Sequence, residues 1–437
     1  VRPAPPTETG GGTPAATLEE LQRIVPTEQI ETQAQADPGR GGSWAVEPAT
    51  VEELVDVLRW ATERHAAIFT RHPRPTDPDV CGPRPRIYLR GRRMRRVKDL
   101  DIVSGTITVQ TGVTMKELDQ QLKDRGYTTG LPTRPWRQES LGAVLAAALD
   151  SHWGPHFGAM EGEVVGLGVV FPDGTATTSR PAPRKAVGPD FDRLFLGSRG
   201  RFGILYEVTL RIYPGTERLV LSFGAPSLSA ALDAVREAFD YGLEPRAVEI
   251  LTPAADRAWG RKRVGLTDAL PILVLVEPWA GVSARPVDDV ERWFAERLVR
   301  LEPPAGWDVH EGLLPPSRAW TSPVVGVSWA ELEHLAADVG DAVPSGLWVV
   351  RMSRHGGHAS VAPGMRGPVT ERVRDWLAAR QPPADGPWRA IQRALVRKLD
   401  PHGILNPSAE DAPAAPAPTS APGGDASRGA HPQEGTP

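Results

Sequence analysis

Two short runs of this sequence carry the side chains best suited to moving protons and holding anions. Ser353-Arg354-His355-Gly356-Gly357-His358 sets two imidazoles three positions apart, with Arg351 just ahead of them. Imidazole titrates near neutral pH, so His355 could give or take a proton during a reaction. A guanidinium presents a rigid fork of donors, so Arg351 or Arg354 could clamp a carboxylate or phosphate. The histidine pair His355 and His358 could instead ligate a metal, but no carboxylate lies nearby in the sequence to complete such a site. A solvated loop is the plain alternative. The second run, Ser151-His152-Trp153-Gly154-Pro155-His156, holds His152 and His156 in a loop. Cys81 is the only cysteine, which excludes an intrachain disulfide and a cysteine-built metal cluster.

These groups must be positioned by a chain of 437 residues, long enough for two or three domains. Its 40% hydrophobic and 24% charged residues are the balance of a globular protein. A net charge of −4 gives no general attraction to nucleic acid or anionic membrane. The local cluster Arg90, Arg92, Arg93, Arg95 and Arg96 reads as a solvated edge. The opening residues lack the basic and apolar regions of a signal peptide, and no run approaches ~18 apolar residues. The expectation is a soluble, cytoplasmic protein without a membrane span.

Residues 1–17 are rich in Pro, Gly and Thr, and 408–437 are rich in Pro and Ala, so both are expected to be disordered. Between them, Thr50-Val51-Glu52-Glu53 is a capping box ahead of Val51, Leu54, Val55, Leu58 and Ala61 at helical spacing. Thr106–Gln110 alternates as a strand and leads into a second capping box, Thr114 to Glu117. Ser140–Ala148 suits a closely packed helix. Val164–Phe171 is an apolar strand that turns at Pro172-Asp173-Gly174 into a hairpin, and Ile204–Tyr213 is a further strand. From about Glu217 the pattern changes to helix 227–239, strands 247–251 and 272–276, and helix 287–301. Helix 388–399 precedes the closing Asp400-Pro401-His402-Gly403-Ile404-Leu405-Asn406-Pro407.

Four segments in this order resemble the FAD-linked oxidases of the vanillyl-alcohol oxidase type, whose FAD-binding domain is of p-cresol methylhydroxylase (PCMH) type. They are Thr106–Leu118, Ser140–Gly174, Gly188–Pro214 and the closing Asp400–Pro407. The group includes glycolate oxidase subunits, D-lactate dehydrogenases and alkyldihydroxyacetonephosphate synthase. The resemblance implies an α+β fold: a two-lobed PCMH-type FAD-binding domain over 18–216, then a mixed α/β substrate (cap) domain over 217–385. Segment 386–407 would return its helix to the FAD domain.

The resemblance also implies FAD as cofactor and a small anionic substrate such as a hydroxy acid. By motif position, Gly112 and Val113 would lie beside the cofactor, and Ser140, Gly142 and Ala143 would line its pyrophosphate and ribityl chain. Gly158 and His152 would border the flavin, and Gly200, Gly203 and Ile204 the ribityl or adenosine part. His355 falls where the family has a histidine that reaches flavin and substrate, with Arg351 or Arg354 as the anion clamp. Where the family has a glycine-rich pyrophosphate loop, this chain has Arg71-His72-Pro73-Arg74-Pro75-Thr76. Proline donates no N–H, so Arg71 and Arg74 would supply charge-assisted contacts instead. That substitution leaves open an alternative: a non-catalytic or weakly catalytic homologue acting as a partner subunit, alongside another flavoprotein or iron–sulfur chain.

Overall fold

The computed structural model describes residues 13–33, 42–70, 81–129, 138–147, 160–182, 190–215, 219–245, 247–252, 269–278, 287–302, 325–340, 342, 344–353, 355–361, 366–380 and 386–407. The first helix, Pro14–Gln22, begins inside the stretch expected to be disordered. Thr13 caps it, Pro14 occupies its first turn, and Leu21 is fully buried, which together order a segment whose composition alone suggests a tail. The tail 408–437 lies outside the described residues.

Strands β1 (Ile30–Thr32), β2 (Ser43–Val46), β3 (Ala67–Phe69) and β4 (Arg86–Leu89) form a sheet in the order β1-β2-β4-β3. β4 runs parallel to both β2 and β3. Parallel neighbours need a crossover, and helix Val51–Glu63 supplies it between β2 and β3. Thr50 Oγ accepts from the Glu53 amide at 3.1 Å, as expected of a cap, but the Glu53 carboxylate accepts from Ala49 N, one residue earlier than a capping box requires. The apolar face of this helix covers Trp44, Val46, Ile68 and Ile87.

A second, antiparallel sheet runs β5 (Val97–Asp101), β6 (Thr106–Gln110), β10 (Ile204–Arg211), β8 (Val164–Val170) and β9 (Ala176–Thr178). Its pleat, shifted by irregularities at Leu205/Glu207 and Thr209/Leu210, separates two cores. Val170, Ile204 and Tyr206 join the core of the first sheet, while Val109, Leu167, Val208 and Leu210 face the other way. On that other side lie helices Met115–Lys123 and Leu141–Ala147. The capping box of Thr114 and Glu117 is complete. β7 (Tyr127–Thr128) pairs with β11 (Tyr213–Pro214) in a short ribbon.

The third sheet has seven antiparallel strands in the order β15 (Val299–Leu301), β12 (Leu221–Ala225), β14 (Ile272–Glu277), β13 (Ala247–Leu251), β17 (Leu347–Ser353), β18 (Gly356–Val361) and β16 (Val325–Val327). Helices Leu228–Asp240, Val287–Ala295, Trp329–Val339 and Pro368–Ala378 pack on one face. The helix expected over 287–301 therefore stops at Ala295; Leu298 is buried, and Val299–Leu301 becomes an edge strand beside Ser222–Gly224. Ala247, Leu251, Leu273 and Leu275, on the opposite face, share a core with Val208 and Leu210 of the second sheet. Val396 of helix Pro387–Leu399 enters that same core, and Ile404 and Leu405 continue into the core of the first sheet. The chain thus returns to its first two sheets after building the third.

One buried acid in this frame gives a testable pH dependence. Glu163, 2% exposed, accepts from the Tyr213 hydroxyl at 3.2 Å, and burial raises its carboxyl from 4.5 to about 7. The folded chain then holds a proton that the unfolded chain releases, so this group's contribution to stability falls as pH rises from about 4.5 through 7. Glu163→Gln removes the penalty. Its stability should match wild type near pH 4.5 and exceed it increasingly toward pH 8, by on the order of 3 kcal/mol at most, read as a rising difference in Tm. Parallel Tm–pH curves for the two proteins would show that the carboxylate is solvated after all.

Candidate functional site

The first and second sheets meet along a seam that the closing segment stitches together. Asp400 accepts from the amides of Ile404 at 3.0 Å and Leu405 at 2.8 Å, shaping the turn after the last helix. Burial raises the Asp400 carboxyl while these backbone donors oppose the shift. Ile68 N donates to Ile404 O and Asn406 N to Ile68 O, both at 2.7 Å, so 404–406 runs as a parallel partner of β3. Arg84 adds a bond to the Gly403 carbonyl at 3.0 Å. At the end of this strip Asn406 Oδ1 accepts from both Thr70 N (2.9 Å) and Thr70 Oγ1 (3.1 Å), and its Nδ2 donates to Gly200 O at 3.3 Å.

Of the residues singled out from the sequence, Gly200 lies at this seam. Gly200 adopts φ +70° and packs on Asn406 and Thr70, so a side chain there would be strained whatever the space. Gly203 and Ile204 begin β10, with Gly203 against Val169 and Ile204 paired with Val170. On the second sheet's helix side, Gly112 N donates to Met94 O at 2.9 Å and Gly142 N to Thr111 O at 2.8 Å. Val113 is buried, and its carbonyl accepts from Leu141 N. Ser140 Oγ accepts from Ala143 N at 3.2 Å as a helix cap, leaving Ala143 exposed. Arg71, Arg74, His152, Gly158 and Arg354 lie outside the described residues, as does the side chain of Arg351.

Arg199, the residue before Gly200, is also left-handed, with φ +56°. A non-glycine residue there stores backbone strain of roughly 1 kcal/mol. Arg199→Gly is therefore expected to leave stability unchanged or raise it by up to about 1 kcal/mol in denaturant melts, despite the added chain entropy. A clear loss would mean that the Arg199 side chain makes contacts worth more than the strain.

His355 sits exposed at the β17–β18 turn, its amide donating to Ser353 Oγ at 3.2 Å. His358, two residues into β18, is half-buried and faces the other way from Ala359 and Val361, which enter the helix-side core. Strand parity therefore puts His358 on the sheet face shared with Leu251, Leu273 and Leu275, the face turned to the second sheet. The same parity brings Glu249 and Glu277 to that face, each 2% exposed. Registers Glu249↔Leu275, Ile250↔Val349 and Val350↔His358 place Glu249 and His358 in one row, two strands or ~10 Å apart. Both glutamates were missed in the sequence reading. Their signal is a single carboxylate inside each of two apolar strands, AVEIL and ILVLVE.

Residues 43–180 match the family model described as an FAD binding domain. The chain is 30% identical over 161 residues to the uncharacterized FAD-linked oxidoreductase YgcU of Escherichia coli K12, covering 36% of this chain and 33% of that protein. It is 26% identical over 234 residues to the mitochondrial D-2-hydroxyglutarate dehydrogenase of Bos taurus, covering 50% and 42%. Each match spans less than half of the relative's own length. A solved structure of alkyldihydroxyacetonephosphate synthase superposes with a TM-score of 0.67 at 17% identity, over 93% of this chain and 87% of that one. Substrate-bound p-cresol methylhydroxylase gives 0.60 at 13%, over 91% and 96%.

The fold is the one shared by alkyldihydroxyacetonephosphate synthase and p-cresol methylhydroxylase, and residues 43–180 carry the likeness to an FAD binding domain. The cofactor that the matched domain over residues 43–180 takes is FAD. At the seam the Thr70 hydroxyl donates to Asn406 and the Asn406 amide to Gly200, so the group there whose chemistry suits a pyrophosphate is the guanidinium of the exposed Arg199, next to Gly200 in the chain. Among the described residues no group of three or more acidic, histidine or cysteine side chains could hold a metal. No helix among them is long and apolar enough to cross a membrane.

Proposed function

We propose that this protein is an FAD-dependent oxidoreductase that oxidises a small hydroxy acid or related anionic metabolite. The substrate lies between the seven-stranded sheet and the second sheet. The observation that carries this reading is the placement of His358 on the sheet face that packs toward the FAD-binding part of the chain. Bound FAD would accept the hydride. His358 would take the hydroxyl proton as the C–H bond breaks, and its half-buried position keeps the imidazole away from bulk water. Arg351, on the neighbouring strand β17, would hold the substrate carboxylate.

Anaerobic mixing of the purified, flavin-loaded protein with a panel of D- and L-2-hydroxy acids tests this directly. Bleaching of the oxidised flavin band by one member, with saturation, is the expected result. Bleaching by a strong chemical reductant but by no hydroxy acid would remove the substrate class. A full-length chain that takes up no flavin would remove the activity as well.

A further inference from the structure

We infer that Asn406 is a positioning residue for FAD, its side chain clamping the two cofactor-binding sheets in register across their seam. The inference rests on FAD being the bound cofactor and concerns what holds its site together. Three chain segments far apart in sequence meet at this one amide. Thr70 closes β3 and immediately precedes Arg71, Gly200 turns the chain into β10, and Asn406 lies at the end of the closing strip. The amide uses both of its ends: Oδ1 accepts two bonds from Thr70, and Nδ2 donates one to the Gly200 carbonyl.

The backbone at this point is specialised as well. Asn406 has φ +43°, a conformation that asparagine tolerates better than most residues. Gly200 is left-handed too, and an added Cβ there would come within 2.8 Å of Asn406 Nδ2. The carbonyl of Gly200 therefore meets the amide only because position 200 has no side chain. Upstream, Asp400 fixes the turn that delivers Asn406, and the paired bonds with Ile68 fix its height along β3. An element that needed only to bury apolar surface would end at Leu405. The polar junction beyond it includes Gly200, a position that the family resemblance assigns to the cofactor.

Two substitutions separate the side chain from the backbone. Asn406→Gly keeps the left-handed conformation at no steric cost and deletes all three side-chain bonds. Asn406→Asp keeps the acceptor toward Thr70 but sets a negatively charged oxygen, in place of the donor, against the Gly200 carbonyl. The flavin-loaded full chain is diluted serially, and released FAD is followed by its fluorescence to give a dissociation constant. Tm is read in saturating FAD. In Asn406→Gly the constant should rise about tenfold or more, the scale of one or two hydrogen bonds. Asn406→Asp, which adds a negative charge, should show a rise at least as large, and in FAD the Tm of both variants should fall by no more than the weaker binding accounts for. A wild-type constant in both variants overturns the inference. So does a lowered Tm with an unchanged constant, the mark of a bond that serves folding alone. A wild-type chain that never holds FAD overturns the cofactor assignment itself, and this inference with it.

Discussion

Adding one methyl group at Gly112 should cost about 3 kcal/mol or more of folding stability. The chain passes so close here that a Cβ would collide with the Gly91 carbonyl and lie 2.6 Å from the Met94 carbonyl oxygen. Both obstacles are backbone atoms, and the Gly112 amide is already bonded to that same Met94 oxygen, so no side chain can rotate aside. Relief would require moving the 91–94 turn off β6, and with it Val113, whose carbonyl holds the start of helix Leu141–Ala147. Gly112→Ala should therefore melt well below wild type and shed flavin. Gly82→Ala is the matched control. It has φ +58° and nothing within 4 Å of its added Cβ, so it should cost only the conformational penalty of about 1 kcal/mol. Equal melting temperatures for the two variants would show that the 91–94 turn yields easily and that Gly112 is not needed for close packing.

His358→Gln should slow substrate-driven flavin reduction by about 10²- to 10⁴-fold, the usual contribution of a positioned acid or base. Glutamine preserves much of the size and polarity of imidazole but has no group that titrates near neutral pH, so flavin content and melting temperature should hold. The pH profile of the residual rate should lose the limb that reports the imidazole. His355→Gln is the informative comparison, because its side chain is exposed at the β17–β18 turn and should matter at least tenfold less. If the larger loss fell at His355, the turn would have to fold over the substrate, and the inner-face reading of His358 would fail.

The difference between these histidines shows what could be read from residues alone. Both stand in one run, and their spacing favours neither. The decision came from strand parity and pairing, since Ala359 and Val361 enter the helix-side core and His358 must face the other way. Glu249 and Glu277 were equally invisible as a pair, because they lie on separate strands brought together by register across a long excursion of chain. Arg71, Arg74, His152, Gly158 and Arg354 fall outside the described residues, so their placement adds nothing to either reading. The glycines give a mixed lesson. Gly112 and Gly203 stand in motifs associated with a cofactor, yet the atoms that crowd their missing Cβ belong to the chain itself.

The sequence by itself determined most local elements and the likeness to FAD-binding domains. Caps at Thr50, Thr114 and Ser227, apolar periodicity and the turn at Asp173-Gly174 are short-range signals, each satisfied within a few residues. The order of the glycine-bearing motifs carried the cofactor with it. Tertiary structure alone decided which face of the seven-stranded sheet meets the second sheet and that Val299–Leu301 pairs as an edge strand. It also decided that Asn406 reaches Thr70 and Gly200. Those outcomes depend on burial and hydrogen bonding between segments up to 336 positions apart, for which local propensity holds no information.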